Sequence, residues 1–251
     1  MAIEFDGTDD FINCGTTADI CQASGNQSAY FRFYLAAYTA GGQRLAQRDE
    51  NGVSGDGWSF AINADGTIEF EVRGSIAYLY VLSTTTVSAA AEHTIILTWD
   101  GSTTATNVHI YLDGSEVTYT NRDNGDTLSA TDTKTAFIGK ITSGTAGRFF
   151  NGTMRETAFF SKVLSTEEIT YLSSGNTRNK PLKIGSCVRY FTFDEGTVGT
   201  SADADTITDR TGTANATGDD GANNTGLTWR FDTAMVYPGR MRPGGRMWGG
   251  S

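Results

Sequence analysis

The chain has 251 residues, of which 38% are hydrophobic, with 30 glycines and 3 prolines. These values predict one large or two small globular domains and exclude a disordered chain. The net charge of −10 argues against nucleic acid as the main partner, because neutralising phosphates requires clustered Lys and Arg. No stretch approaches the roughly 18 apolar residues of a membrane span, and a strand begins already near Ile3. We therefore expect a soluble protein with no signal peptide and no transmembrane segment.

Three cysteines, Cys14, Cys21 and Cys187, are spread along the chain. Their odd number and the absence of a C-x-x-C spacing argue against a disulfide framework or a zinc site. Cys14 and Cys21 could pair across a short loop. Free cysteine usually behaves as a small buried hydrophobe, and we favour that state for all three.

Short strands separated by polar turns dominate the first half of the chain. Trp58–Ile62 alternates with period two, Asn63–Gly66 has the composition of a hairpin turn, and Thr67–Arg73 alternates again. This spacing is typical of two antiparallel sheets packed face to face.

The stretch from Asn151 to Leu172 begins as a strand and ends as a helix. Strict alternation would place Met154, Glu156, Ala158 and Phe160 on one side of that strand. Ser165 with Glu168 three residues later predicts a capping box, which would start one short helix. An apolar stripe of that helix is predicted at Val163, Ile169 and Leu172.

Four segments of the chain carry a recognisable pattern of glycines, acids and apolar residues. They are Ile3–Gly15, the hairpin of Ile95–Gly101 and Val108–Gly114, the strand Phe137–Gly139, and a closing segment filled by Phe150, Gly152, Met154, Glu156, Leu164, Ser165, Glu168 and Ile169. Their content and order resemble the laminin-G-like and concanavalin-A-like lectin/glucanase superfamily. The resemblance implies an all-β fold, a two-sheet antiparallel jelly-roll sandwich with one short helix. It leaves function open, because this fold hosts lectins, enzymes and structural modules.

The segment after Gly175 resembles a part of that family that normally precedes its opening strand. Here the Cys187–Thr200 strand and turn, the loop near Thr208–Gly218 and a last strand near Leu227–Arg230 stand at the end. We interpret residues 1–237 as one domain whose segment 182–237 is permuted to the C-terminus, since the two ends of a sandwich lie close together. The alternative is the start of a truncated second repeat, which could not bury a core alone.

The resemblance includes retaining glucanases, which need two carboxylates about 5 to 5.5 Å apart. No E-x-D-x-E run is present, and Glu69 and Glu71 are expected on a solvated strand face. His93 and His109 lie far from any nucleophile motif, so we assign them structural roles. No catalytic residue is predicted, and an atypical glycoside hydrolase is kept as the least favoured alternative.

One structural calcium is implied by the resemblance, where the opening and closing strands meet. Asp6 and Glu156 would then be its ligands, since calcium takes six to eight oxygens. The alternative is no cofactor, with Asp6 capping its own D-G turn and Glu156 exposed. Asp9 and Asp10 carry the same two interpretations.

Glycan binding would require exposed aromatic rings next to polar side chains. The aromatic candidates are Trp58, Tyr30, Tyr34, Tyr78 and Tyr80; the alternative for most of them is a place in the core or in a cross-strand pair. A ligand site is predicted around Trp58 and the neighbouring loop, with polar groups from Arg48, Asp49 and Asp56. A soluble carbohydrate-binding lectin, with a possible homo-oligomer, follows from this interpretation.

The tail 238–251 differs sharply in composition from the acidic body that precedes it. It is rich in glycine and its predicted anchoring residues are Arg240, Arg242, Arg246 and Trp248; a disordered end is the alternative. An acidic body, a start without a leader and such a tail resemble laminin-G-like proteins of bacteriophages and prophages. The resemblance implies a non-enzymatic virion-surface module, for capsid decoration or tail-associated adhesion, with other virion or surface proteins or a cell-surface glycan as partners.

Overall fold

The computed structural model describes residues 1–17, 19–22, 24–48, 57–73, 76–127, 134–140, 148–175, 179–219, 221 and 226–230. Within these ranges the helical elements are α1 (Thr166–Ser173) and two short 3-10 turns, Ala105–Asn107 and Pro181–Lys183. The strands in chain order are β1 (Ala2–Asp6), β2 (Phe11–Asn13), β3 (Gln27–Leu35), β4 (Gln43–Gln47), β5 (Trp58–Ile62), β6 (Thr67–Arg73), β7 (Tyr78–Thr86), β8 (Ala91–Trp99), β9 (Val108–Leu112), β10 (Ser115–Glu116), β11 (Tyr119–Asp123), β12 (Phe137–Ile138), β13 (Asn151–Phe160), β14 (Cys187–Phe191), β15 (Thr206–Ile207), β16 (Ala216–Asp219) and β17 (Thr228–Arg230).

These strands form two antiparallel sheets, which confirms the predicted sandwich. The first sheet has the order β10-β9-β8-β3-β13-β1-β17, and β14 pairs with the far end of β13. The second sheet has the order β11-β7-β6-β5-β4-β12-β2-β16-β15. Side chains of alternate residues on both sheets meet in one apolar core. Among its largest members are Phe31, Phe33, Phe60, Phe70, Trp58, Trp99 and Trp229.

The segment after residue 182 contributes strands to both sheets. β14 pairs with β13 and β17 pairs with β1 in the first sheet, whereas β16 pairs with β2 in the second. Arg189 of β14 is fully buried and its guanidinium lies 3.2 Å from Asp209. The carboxylate of Asp209 accepts backbone N–H groups from Thr211, Thr213 and Ala214. This ion pair fastens the 209–214 loop to β14.

A bulge interrupts β13 between Met154 and Glu156. The predicted alternation is therefore wrong for this strand. Met154 packs in the main core with Phe159, while Glu156 turns to the outward face of the first sheet. Ala158 continues on that outward side. A bulge adds one residue to a strand and reverses the sides of the residues after it.

Helix α1 begins where the sequence predicts. The Ser165 side chain accepts the Glu168 backbone N–H, and the Glu168 carboxylate accepts the Ser165 N–H at 2.9 Å, so the capping box is confirmed. Ile169 and Leu172 pack on the outward face of the first sheet, but Val163 is 39% exposed and Leu164 takes its place. We call this outward surface the covered face; it consists of Tyr30, Ile96, Ala158, Phe160 and Tyr190 under α1.

All three cysteines are free, as expected, but Cys187 is only partly buried, contrary to the burial predicted for all three. Cys14 and Cys21 are buried, and burial raises the pKa of the Cys14 thiol to about 12. None of the helices in the described ranges has the length and apolar character needed to traverse a lipid bilayer.

Candidate functional site

The outward side of the second sheet carries polar and aromatic side chains in a continuous patch. It arises because β5, β6 and β7 alternate, so that the neighbours of Phe60 and Phe70 face away from the core. In β4 a register shift places both Leu45 and Ala46 in the core and leaves Arg44 and Gln47 on the outward side. We call this patch the polar face; it consists of Arg44, Gln47, Ser59, Glu69, Glu71, Arg73, Tyr78 and Tyr80.

Arg44 lies at the centre of the polar face. Its Nε donates to Gln47 Oε1 at 3.1 Å, and its Nη1 lies 3.6 Å from Glu69 Oε1. The Tyr80 hydroxyl donates to the other oxygen of Glu69 at 3.2 Å. Burial lowers the pKa of Arg44 against the opposing effect of Glu69, and burial together with Glu69 raises the pKa of Tyr80 to about 12. The raised pKa keeps the Tyr80 hydroxyl protonated at neutral pH, so that it can act as a donor.

A second ion pair lies at the end of the same strands. Arg73 Nε donates to Glu71 Oε1 at 2.8 Å, and the Arg73 guanidinium lies 5.2 Å from the ring centre of Tyr78. Tyr78 is 50% exposed, which leaves its ring accessible. The arrangement offers an aromatic surface next to carboxylate and guanidinium groups, which is the usual chemistry of sugar recognition.

Two polar groups of this face are buried without a hydrogen bond inside the described part of the chain. They are Nη1 of Arg44, a residue that is 4% exposed, and Oγ of Ser59, which is 3% exposed. Burying a donor without a partner costs about 1–3 kcal/mol. Groups of this kind are commonly satisfied by a ligand or by water.

The structure corrects the ligand site predicted around Trp58. The Trp58 ring is 1% exposed, packs against Phe60, Phe70 and Phe159, and donates its N–H to Gln27 Oε1. It cannot stack on a sugar because it belongs to the core. Asp49 and Asp56, predicted to join it, lie outside the described residues.

Arg48 is also placed differently from the prediction. Its guanidinium is fully buried and donates to the backbone carbonyls of Thr16, Thr17, Ile20 and Lys134. These contacts hold two chain segments together, so Arg48 stabilises the fold instead of facing a ligand.

Of the other aromatic candidates, Tyr30 lies on the covered face, buried, with its hydroxyl donating to Glu156 at 3.1 Å. Tyr34 is partly buried on the same sheet. Tyr78 and Tyr80 remain as accessible rings, and both belong to the polar face.

The predicted calcium ligands do not meet, although β1 and β13 pair as supposed. Asp6 is opposite Asn151 in the register, whereas Glu156 lies farther along β13, buried beside Tyr30. Asp6 lies instead near Asp9 and Asp10, and one carboxylate oxygen of each is within 4.8 Å of the others. The Asp6–Glu156 site is therefore wrong, and the acids that converge are those of one turn.

The Asp6–Asp10 turn has features that suit a cation and features that suit a simple turn. A Cβ atom on Gly226 would lie 2.5 Å from both Asp10 carboxylate oxygens, so the backbone approaches that carboxylate closely. Three carboxylates supply up to six of the oxygens that calcium requires. Asp10 Oδ2 also accepts the Asp6 backbone N–H, and Asp6 Oδ1 accepts that of Thr8. The residues present fit calcium.

His93 lies between an acid and a serine, an arrangement that the sequence did not indicate. Its Nδ1 is 2.9 Å from Asp113 Oδ2, and its Nε2 is 3.1 Å from Ser88 Oγ and 3.0 Å from the Ser88 carbonyl oxygen. The carbonyl can only accept, so this contact requires a proton on Nε2. A protonated Nε2 cannot remove a proton from Ser88, and the trio acts as a structural clasp.

The anchoring residues predicted in the tail, Arg240, Arg242, Arg246 and Trp248, lie outside the described residues. The sequence did not single out Arg44, Gln47 or Ser59. Alternation within β5 indicates Ser59, but it would put Arg44 and Gln47 on opposite sides of β4, and only the register shift in β4 brings both to the outward side. A charged side chain in such a position indicates an outward polar surface, but which strands become neighbours on that surface was not readable.

Comparison with known families supports the fold. A family model described as the concanavalin A-like lectin/glucanases superfamily matches residues 6–170. A comparison with curated proteins found no match.

Several solved structures share the fold at low sequence identity. A heptameric SAP-like pentraxin from Limulus polyphemus is 14% identical, with a TM-score of 0.51 over 70% of this chain and 83% of its own. The CBM40 module of the Ruminococcus gnavus IT-sialidase, solved bound to alpha2,3 sialyllactose, is 14% identical, with a TM-score of 0.54 over 69% and 96%. A Bacteroides ovatus protein, provisionally described as carbohydrate binding, is 16% identical, with a TM-score of 0.57 over 90% and 58%.

Proposed function

Because the chain belongs to the concanavalin A-like lectin/glucanases superfamily, we propose that it is a non-enzymatic module that binds carbohydrate on its polar face. The observation that carries the proposal is the pair of buried groups there, Arg44 Nη1 and Ser59 Oγ, without hydrogen-bond partners in the described residues. Sugar hydroxyls both donate and accept, so one sugar could satisfy both groups.

The neighbouring side chains suit the same ligand. Glu69 and Glu71 offer carboxylate oxygens to sugar hydroxyls, and Tyr78 offers a half-exposed ring to the apolar side of a pyranose. Two solved structures of similar fold, the CBM40 module and the Bacteroides ovatus protein, are described with a bound sialylated sugar and with carbohydrate binding, respectively. These descriptions support a glycan as the ligand.

The contacts that Glu69 and Glu71 make with neighbouring side chains favour sugar binding over sugar cleavage. A glycosidase uses one carboxyl group to protonate the leaving oxygen and a second as nucleophile or base. Glu69 is engaged by Arg44 and Tyr80, and Glu71 by Arg73. Carboxylates held in this way are suited to accepting hydrogen bonds from a ligand.

The test is a glycan array followed by calorimetry with the best ligand. We expect Arg44→Met and Ser59→Ala to lower affinity at least tenfold, since each removes a buried hydrogen bond to the ligand. Tyr171→Ala on α1 is the control, because Tyr171 is 42% exposed and lies on the other side of the sandwich. It should leave affinity unchanged.

The proposal is rejected if the array shows no ligand, or if the control variant and the polar-face variants lose binding equally. Melting temperatures of all variants separate loss of binding from loss of folding. Release of reducing sugar from a bound polysaccharide would instead support the hydrolase alternative.

The sequence suggests that this module is displayed on a virion surface and that the tail 238–251 anchors it there. Its support remains the acidic body and the basic, glycine-rich tail. Mass spectrometry of purified particles tests it: we expect the protein in the particle, and its loss when Arg240, Arg242, Arg246 and Trp248 are replaced by alanine. Absence of the intact protein from particles would overturn this setting without affecting carbohydrate binding.

A structural calcium would be held by Asp6, Asp9 and Asp10. It would neutralise the three converging carboxylates of the β1–β2 turn, and so stabilise the folded state by mass action. We expect calcium to raise the melting temperature of the protein above its value in chelator, and Asp10→Asn to abolish the difference. Equal melting temperatures with calcium and with chelator would exclude the ion.

A further inference from the structure

The cover that α1 forms over the first sheet ends at a cleft of about 220 Å³. A Cβ atom on Gly114 would lie 3.1 Å from Ser173 Cβ, so the end of the helix rests on the turn after β9. The cleft lies on the opposite side of the sandwich from the polar face and shares no residue with it. Its walls are formed by Arg32 of β3, Glu92, His93 and Thr94 of β8, Asp113 after β9, and Ser173 and Gly175 at the end of α1.

Charges in the cleft are arranged from a buried cation to exposed acids. Arg32 is 8% exposed, whereas the side chains of Glu92 and Asp113 are 37% and 50% exposed. The guanidinium therefore lies innermost, and the two carboxylates form the rim. A complementary ligand has a negative group that reaches inward and a positive group that stays at the rim. A carboxylate is the group that matches the donor geometry of arginine.

Both rim acids keep acceptor sites for a ligand. The two oxygens of Asp113 contact the Thr94 N–H at 2.8 Å and His93 Nδ1 at 2.9 Å. Arg155 donates once to each oxygen of Glu92. A carboxylate has about four lone-pair sites, so about two on each acid are left for a ligand or for water. An ammonium group has three donors and can be shared between the two acids.

The hydroxyl of Ser173 also points to a polar ligand. Its Oγ is buried and makes no hydrogen bond within the part of the chain that the structure describes. Leaving a buried hydroxyl in this state is unfavourable, and such groups are commonly satisfied by a ligand or by water. A hydroxyl can donate to a carboxylate, which is the group that Arg32 also favours.

The size of the cleft limits the ligand to a small molecule. A volume of about 220 Å³ corresponds to about seven water molecules at roughly 30 Å³ each. Pockets for drug-sized ligands are larger, about 300–1,000 Å³. The cleft therefore suits a single small metabolite and excludes a chain of sugar units.

We propose that this cleft binds a small amino acid in its zwitterionic form, with the carboxylate at Arg32 and Ser173 and the ammonium group between Glu92 and Asp113. A simple anion would be repelled by the two rim acids, and a simple amine would be repelled by Arg32. A ligand that carries both charges avoids both penalties. The inference is independent of the proposed carbohydrate site, which lies on the other sheet.

The first test is calorimetry of the full chain with the small standard amino acids, β-alanine and γ-aminobutyrate. We expect at least one of them to bind and to raise the melting temperature. The best ligand is then compared with its amide, which lacks the carboxylate, and with its hydroxy acid, which lacks the ammonium group. Each should bind at least tenfold more weakly. The proposal is overturned if no amino acid binds at millimolar concentration, or if either analogue binds as well as the amino acid.

The second test uses variants of the cleft. Ser173→Ala should lower amino-acid affinity threefold or more without lowering the melting temperature of the free protein, because the hydroxyl has no hydrogen bond inside the described residues. Asp113→Asn should lower affinity at least tenfold, since an amide oxygen can still accept the Thr94 N–H but the charge is lost. Melting temperatures of both variants verify folding.

Ser59→Ala is the matched control, because Ser59 Oγ is also buried without a hydrogen bond in the described residues but lies on the polar face. It should leave amino-acid affinity unchanged, and Ser173→Ala should leave glycan affinity unchanged. If Ser59→Ala weakens amino-acid binding as much as Ser173→Ala does, or if both cleft variants bind like the unchanged protein, the site is wrongly placed. A glycan array without a ligand would reject the carbohydrate proposal and leave this one standing.

Discussion

The two outward faces of the sandwich are made by the same strand alternation but differ in what lies over them. On the covered face, Ile169 and Leu172 of α1 pack on Tyr30, Ile96 and other apolar side chains. On the polar face, the corresponding positions carry arginine, glutamate, serine and tyrosine. The helix thus converts one outward face into a second core and leaves the other as the surface suited to a ligand.

Polar groups on the two faces are used differently. On the covered face, Arg155 binds both oxygens of Glu92, and Lys180 donates to the backbone carbonyls of Tyr171 and Ser174. The first contact joins β13 to β8, and the second joins the end of α1 to the segment that follows it. On the polar face, Arg44 and Ser59 retain groups that the described residues do not satisfy. Ser173 Oγ of α1 is also buried without a hydrogen bond in the described ranges, so the main difference between the two sides is the apolar cover that α1 provides.

The largest expected effect removes apolar packing from the covered face. Leu172→Ala should lower the free energy of unfolding by about 2 to 5 kcal/mol, because it leaves a cavity under α1. Affinity for the glycan should not change, since the polar face lies on the other sheet. Chemical denaturation and calorimetry at a temperature where the variant is folded provide the two measurements. Loss of affinity in the folded variant would show that packing on the covered face affects binding on the polar face.

The sandwich and the helix start were predictable because they rest on local pattern. Alternation in Thr67–Arg73 and the Ser165–Glu168 spacing depend on neighbours in sequence alone. The position of Trp58 was also present in that pattern, since Trp58, Phe60 and Ile62 share one side of β5 and therefore enter the core together. Of the two interpretations of Trp58, ligand contact and a place in the core or a cross-strand pair, strand position favours the core.

Other features could not be predicted, because they depend on register. The bulge at Arg155 and the pairing of Asp6 with Asn151 separate Asp6 from Glu156. Neither is encoded in a short pattern of residue types. Sequence patterns define the strands, whereas the site results from how the strands are ordered.

The second prediction concerns the polar face. Arg44→Met should cost only about 1–2 kcal/mol of unfolding free energy, less than Leu172→Ala, while abolishing most glycan affinity. The cost is limited because Glu69 keeps the Tyr80 hydroxyl and some contact with solvent. Denaturation and calorimetry on the same preparation test both halves. If Arg44→Met lowered the unfolding free energy as much as Leu172→Ala does, the main role of Arg44 would be to stabilise the fold and not to bind a ligand.

The third prediction tests whether α1 can be weakened without affecting the second sheet. Ser165→Ala removes the side-chain acceptor of the capping box and should destabilise the protein by about 1 kcal/mol. Hydrogen exchange of the α1 amides should accelerate, and the amides of β5 and β6 should be unaffected. Ser161→Ala, in the connection before the helix, is a control outside the cap. Faster hydrogen exchange in the second sheet would contradict the view that α1 covers the first sheet without affecting the second.

The smallest expected effect lies at the end of the first sheet, in the His93 clasp. Burial lowers the pKa of His93, but the hydrogen bond and charge of Asp113, the Ser88 carbonyl and the charge of Glu92 outweigh it and raise the pKa. A histidine with a raised folded pKa contributes stability at pH values below its unfolded pKa of about 6.5. That contribution disappears as pH rises through the folded value.

Unfolding free energies of the protein and of His93→Gln at pH 5.5 and pH 8.5 measure this contribution. The difference between the two proteins should be larger at pH 5.5, because the imidazolium then binds Asp113 and the Ser88 carbonyl at once. Asp113→Asn should remove most of the pH dependence, since the carboxylate is the main group that favours the charged ring. A difference that grows towards pH 8.5 would mean that neutral His93 is the stabilising form, with Nε2 accepting from Ser88 Oγ, and would reopen the question of a reactive serine.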